Sequence, residues 1–335
     1  MRLSLLRFAP FAVLFASAGC APPAPVAPAP FTDPAAHRAT RVQVAPDVRL
    51  EVLDWGGSGP PLVFLAGMIN TGHIFDTFAP RFTDRHRVIA ITRRGAGASD
   101  APAAGPYDAL TLAADIRAVM DSLGIGRAVL LGHSFGGMEL SWFAAEYPDR
   151  VEKLVYLDSY CSGCAPPAER PGRLLRPPGP NMEPRDTLTP AGLMGYQRRT
   201  LGFAYPEAEV RAINRYGAGT VEIAAPLAVR RAIAAGAGHP GFAKITAPTL
   251  GIFAERATVE QEFWWTRQMN RPMRRLAEVY VEVNVANRRA QRGQFEHELP
   301  NARAAVIPGA HHFIFLSHPD QTERLIRAFL GDSVR

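Results

Sequence analysis

The sequence predicts an α/β protein: a mostly parallel central sheet, helices on both of its faces, and a helical cap inserted near the middle of the chain. Three observations carry this. From Val48 onward short apolar stretches alternate with amphipathic ones. Several of the apolar stretches are continuous runs, as strands buried on both faces must be. The alternation breaks once, between about Asp158 and Thr249. At 335 residues, 47% hydrophobic and 20% charged, the chain can bury a large core, and its composition excludes general disorder.

The strands expected are Val48 to Trp55, Leu62 to Ala66, Val88 to Thr92, Ala128 to Leu131, Leu154 to Leu157, Thr249 to Phe253 and Ala304 to Ile307. Helices are expected at Leu110 to Leu123, Met138 to Glu146 and Gln321 to Leu330, where apolar residues recur at steps of three and four. In the interruption, residues 161 to about 190 are rich in Pro, Gly and Arg, and helical patterns run from about Gly192 to Ala235. This divides the chain into a core of 35–160 and 244–335 with a cap at 161–243. No internal repeat is visible.

The first residues read as an address. Arg2 and Arg7 flank the start, an apolar run spans Phe8 to Phe15, and Ser17-Ala18-Gly19-Cys20 follows. That order is a secretory signal over 1–19, with an apolar run too short to span a bilayer. Small residues directly before a Cys resemble the processing site of bacterial lipoproteins, which implies a lipidated Cys20 and an enzyme tethered to a membrane on the periplasmic side; ordinary cleavage near Ala18 is the alternative. The Ala/Pro run that follows makes 20–34 an extended tether. The formal charge of +6, or +4 without Arg2 and Arg7, is a weak bias. The arginines between Arg267 and Arg292 suit a solvated helix face, and nothing suggests nucleic-acid binding.

Of three cysteines, Cys161 and Cys164 remain after Cys20, in a C-x-x-C spacing. In an exported protein a short disulfide or two inert thiols are both compatible with it, and no further metal ligand is evident nearby.

The chemistry centres on Gly132-His133-Ser134-Phe135-Gly136-Gly137, directly after the apolar run Ala128 to Leu131 and before a helical pattern. This is a G-x-S-x-G turn in the strand-to-helix setting that lifts a Ser oxygen above a sheet at a helix N-terminus. Around it, Pro60 to Gly67 and Arg94-Gly95-Ala96-Gly97-Ala98-Ser99-Asp100 match, in order, segments of the α/β-hydrolase superfamily. From Leu62 to Leu330 the chain resembles that superfamily, with Ala66 where its usual His stands. The resemblance implies a Ser134 nucleophile, and an oxyanion hole from the backbone N–H groups of Phe135 and Met68. It also implies a late His as base: in Pro308-Gly309-Ala310-His311-His312-Phe313, alignment on Phe313 favours His312 over His311. Dehalogenases and epoxide hydrolases of the superfamily carry an Asp at the elbow, so Ser134 points away from both.

The acid departs from the pattern. Ala254-Glu255-Arg256-Ala257 puts Ala257 where many relatives hold an Asp. Two carboxylates preserve the chain order of nucleophile, acid and base: Asp158, at the end of a strand neighbouring that of the nucleophile, and Glu255. Asp158 is the favoured one. Phe75, Trp264, Trp265 and Phe313 are candidates to line an apolar acyl pocket. The activity expected is hydrolysis of carboxylic esters or lactones of small apolar molecules, with no metal or organic cofactor implied. The rival expectations are an exported peptidase or amidase, and a tethered binding protein without activity.

Overall fold

The computed structural model describes residues 31–159, 175–216, 220–238 and 240–332. The signal segment, Cys20, most of the tether, Cys161, Cys164 and His239 lie outside the described residues. Pro34 onward forms one compact unit, to which everything below refers.

An eight-stranded sheet organises the chain. Its first strands are β1 (Arg38–Ala45), β2 (Val48–Gly56), β3 (Pro61–Leu65), β4 (Arg87–Ile91), β5 (Ala128–His133) and β6 (Val151–Leu157). Two more follow a small separate hairpin of β7 (Asn214–Tyr216) and β8 (Val221–Ile223): they are β9 (Thr249–Glu255) and β10 (Ala302–Pro308). The spatial order is β1-β2-β4-β3-β5-β6-β9-β10. β2 pairs antiparallel with both β1 and β4, and every later pair is parallel.

Alternation along one strand builds two cores. On β3, Val63 and Leu65 join the cluster beneath α1 (Ala109–Ser122) and α2 (Phe135–Glu146), while Leu62 and Phe64 face the opposite cluster with Phe78 and Phe82. Helix α1 begins where Asp108 accepts a hydrogen bond from the Thr111 N–H at 3.0 Å, and it buries Leu112, Ile116, Val119 and Met120 along one face.

All seven predicted strands form, with ends shifted by a few residues. β1 was not expected. Of its eight residues only Val42 is buried, so as a polar edge strand it carries almost no periodic signal. The helix predicted at Met138 begins instead at Phe135, because the glycines that read as a turn are its first turn.

Between β6 and β9 the described chain leaves the sheet as α3 (Pro184–Thr187), α4 (Pro190–Leu201), α5 (Glu207–Ile213), the β7-β8 hairpin and α6 (Leu227–Ala235). The stretch expected to be helical throughout is thus broken by a hairpin. The chain then returns through α7 (Val259–Glu262), the 28-residue α8 (Arg271–Glu298), α9 (Ile314–Ser317) and α10 (Pro319–Leu330). No helix among the described residues is long and apolar enough to cross a membrane.

Candidate active site

Ser134 stands between β5 and α2 at φ 52° and ψ −119°. A side chain in the left-handed region costs of the order of 1–3 kcal/mol, which the surroundings must offset. They do so with hydrogen bonds on both sides: the Ser134 N–H donates to the Leu157 carbonyl at 3.2 Å, and its carbonyl accepts from the Gly137 N–H at 3.0 Å and Ser159 Oγ at 2.6 Å. The flanking glycines are required by space. A Cβ on Gly132 would lie 2.5 Å from the Gly136 carbonyl oxygen, and one on Gly136 would lie 2.3 Å from that of Leu65.

The late His arrives on the loop after β10. Gly309, at φ 76°, donates its N–H to the Glu255 carbonyl at 2.7 Å and turns the chain back over the sheet. His312 then lies with Nδ1 2.7 Å from Asp158 Oδ2, and its ring centroid is 4.6 Å from that of His133, the residue before Ser134. His133 is fully buried. Burial, with His312 beside it, holds its pKa well below the ordinary 6.5. The ring is therefore neutral, and its Nε2–H donates to the His312 carbonyl at 3.1 Å. His133 thus ties the loop carrying His312 to the end of β5, a role the G-x-S-x-G motif does not announce.

Asp158 closes β6 at φ 44°, with its carboxylate only 1% exposed. Each oxygen is committed. Oδ1 accepts the Ala254 N–H at 2.9 Å, and Oδ2 faces His312 with Arg288 Nη1 at 3.4 Å. The backbone is pinned as well, the Asp158 N–H donating to the Ile252 carbonyl at 2.7 Å. The other carboxylate considered is engaged elsewhere. Glu255 pairs with Arg289 at 2.9 Å and Arg292 at 3.3 Å on α8, and the Arg289 hydrogen bonds hold it below the usual carboxylate range. Arg288, Arg289 and Arg292 of the arginine run thus reach carboxylates at the end of the sheet, while Arg267, Arg271, Arg274 and Arg275 lie exposed as expected of a solvated face.

His311 is not placed as His312 is. Its Nδ1 accepts the Phe313 N–H at 3.3 Å, and burial near the Arg256 guanidinium pushes it down to about 3. It lines a cavity of about 390 Å³ with Phe203, Arg256 and Trp264.

The loop after β3 runs beside the elbow: a Cβ on Gly67 would lie 3.5 Å from that of Ser134. Met68 and Phe135 both pack against a buried cluster formed by Tyr107, Leu112 of α1, and Val229 and Ile233 of α6. The four aromatic pocket candidates divide. Phe75 is fully buried among Phe64 and Phe315, and Trp265 packs on Phe263, so both are core. Trp264 is exposed at the cavity edge, and Phe313 is half-buried between His133 and Tyr205.

A solved structure of E-2-(acetamidomethylene)succinate hydrolase superposes on 88% of this chain and 99% of its own, with a TM-score of 0.62 at 22% identity. The chain has the α/β-hydrolase fold. A family model described as alpha/beta hydrolase fold matches residues 60–219, from β3 through the elbow and into the inserted segment. Curated relatives include 2-(acetamidomethylene)succinate hydrolase of Mesorhizobium japonicum, 39% identical over 102 residues, which are 30% of this chain and 36% of that protein. Another is the soluble epoxide hydrolase of a Corynebacterium species, 36% identical over 102 residues, 30% of this chain and 35% of that one. The matches thus span about a third of the curated relatives' length.

The inserted segment of this α/β-hydrolase fold reaches the loop beside the elbow through a residue that sequence reasoning passed over. Glu209 on α5 is fully buried, and its carboxylate accepts from Asn70 Nδ2 at 2.8 Å, from the Thr71 N–H and from Thr71 Oγ1. Burial raises it from 4.5 to about 7 against the pull of these donors. Nearby, His73 is paired with Asp76 and Glu51 and stays protonated, while the Tyr205 hydroxyl is pushed up by burial. With the folded value above the unfolded one, the stability linked to Glu209 is complete below about pH 4.5 and is lost as pH rises through 7. The change is of the order of 3 kcal/mol. Thermal melts at pH 5 and pH 8 should therefore differ less in Glu209→Gln than in the unmodified chain; equal differences in both would assign the pH dependence to other groups.

Proposed function

We propose that the chain is a serine hydrolase acting on carboxylic esters or lactones of small apolar molecules through an acyl-enzyme on Ser134. One observation carries the reading: the 2.7 Å contact of His312 Nδ1 with the buried Asp158 carboxylate, on an imidazole whose centroid lies 4.6 Å from that of the elbow residue His133. Asp158 holds the proton on Nδ1, which leaves the Nε2 lone pair to take the Ser134 proton as Oγ attacks the carbonyl. The Met68 and Phe135 N–H groups meet the oxyanion. Collapse expels the alcohol, which takes the proton from His312; water, deprotonated by the same nitrogen, then frees the acid. Segment 161–243 serves as the cap, and its α6 residues Val229 and Ile233 supply apolar surface beside Met68 and Phe135.

The relative that hydrolyses epoxides belongs to a group whose elbow carries an Asp by the resemblance above, whereas this chain has Ser134. The test is labelling with a fluorophosphonate, with the adduct mapped by mass spectrometry, followed by turnover of acyl esters, lactones and peptide amides. An adduct on Ser134 with ester or lactone turnover supports the reading. Turnover of amides alone moves it to a peptidase or amidase, and a folded chain without adduct would favour a binding protein.

The signal at 1–19 and the lipid-bearing Cys20 belong to the same proposal, which puts the enzyme on the periplasmic side of a bacterial membrane. Cells fed an alkyne analogue of palmitate should label the full chain, and the label should vanish in Cys20→Ala. Equal labelling of both would remove the anchor from the proposal.

A further inference from the structure

We propose that Arg93 is a positioning residue that aims the two backbone donors of the site together, a role that rests on the serine-hydrolase reading. Arg93 lies just beyond β4 and is only 5% exposed. A buried guanidinium must find acceptors for its five N–H groups, and five contacts account for them. Nη1 donates to the carbonyls of Gly67 and, at 3.1 Å, Met68; Nη2 donates to the Ala66 carbonyl and, at 2.7 Å, to Glu139 Oε2; Nε donates to Glu139 Oε1 at 2.8 Å. Its central carbon sits 5.1 Å from the Phe135 ring centroid.

The geometry gives these contacts a consequence. The only cis peptide among the described residues is Gly105-Pro106, so the unit joining Gly67 to Met68 is trans. In a trans unit the carbonyl and the following N–H point in opposite directions. Holding the Gly67 carbonyl on Arg93 therefore turns the Met68 N–H away from the guanidinium. The same guanidinium grips Glu139, one helical turn after Phe135 on α2, whose first N–H groups have no partner within the helix. One planar group thus spans the loop that presents one donor and the helix that presents the other. Because Glu139 is bidentate and equally buried, the pair carries no net charge, and its effect is on spacing and direction.

Lysine keeps the charge but lacks the fork and two of the five donors, so Arg93→Lys separates geometry from electrostatics. We expect the folded variant to be labelled at Ser134 to full stoichiometry by prolonged fluorophosphonate treatment. With sites counted by that titration, the kcat per site of the untreated variant should fall about 100-fold, with KM changed much less. Affinity for an alkyl boronic acid, which forms a tetrahedral anion on Ser134, should fall in parallel. If Arg93→Lys does not fold, Glu139→Gln carries the test, with an expected loss in kcat of about tenfold. A purely structural ion pair would lower the melting temperature but leave the untreated variant's kcat per titrated site and boronate affinity within about twofold of the unmodified chain, which would overturn the proposal alone. Absence of any Ser134 adduct in the unmodified chain would overturn the hydrolase reading and this role with it.

Discussion

Ser134→Ala is expected to lower kcat for ester hydrolysis by roughly 10⁴ to 10⁶-fold while leaving the fold and the melting temperature nearly unchanged. The methyl group of Ala occupies the space of Cβ, so the tight fit of Gly132 and Gly136 around the turn is preserved. The hydrogen bonds of residue 134 to Leu157, Gly137 and Ser159 run through its backbone and are kept. What disappears is the attacking oxygen. The remainder should come from the oxyanion donors and His312 acting on water. Initial-rate measurements on the purified domain, with circular dichroism as the control for folding, decide this; a loss below about tenfold would place the chemistry on another residue.

Asp158→Asn is expected to cost about 10⁴-fold in kcat. The Ala254 N–H needs an acceptor at Oδ1, so the amide oxygen of Asn will take that position and the amide nitrogen will face His312 Nδ1. An N–H donor there forces the imidazole proton onto Nε2, and the base is lost even though nothing has moved. Glu255→Gln is the counterpart. It breaks partly exposed pairs with Arg289 and Arg292, so activity should stay within about twofold and stability within about 1 kcal/mol. Kinetics on the two variants side by side give the answer, because an active Asp158→Asn together with an inactive Glu255→Gln would transfer the acid to Glu255.

The contrast between these two carboxylates shows what was legible before any coordinates. The elbow could be read from one dozen residues, since strand, tight turn and helix are local and each has a pattern of its own. The choice of acid is tertiary: Asp158 and Glu255 both stand at the ends of neighbouring parallel strands, and what separates them is that the loop after β10 brings His312 to Asp158 while Arg289 and Arg292 engage Glu255. Of the arginines read as a solvated face, Arg267, Arg271, Arg274, Arg275 and Arg289 are exposed while Arg288 and Arg292 are half-buried, because charge alone does not say which way a helix is turned. Arg93, Glu139 and Glu209 were passed over for the same reason, since a buried ion pair and a buried carboxylate are spelled with the letters of a surface. Phe75 failed in the opposite sense: an aromatic residue a few positions after the loop that carries Met68 proved to be packing. β1 was missed because an edge strand with a single buried residue has no alternation to detect.

Ser134 and Asp158 are the two residues other than glycine with positive φ among those described. Among the described residues, left-handed backbone outside glycine therefore falls on the proposed nucleophile and on the carboxylate proposed to orient its base. Selection for heat resistance that ignored turnover would drift toward glycine at both, gaining robustness by erasing the reagent and its orienter. Any thermostable descendant that still works must have found its extra stability elsewhere, for instance in the polar edge of the sheet.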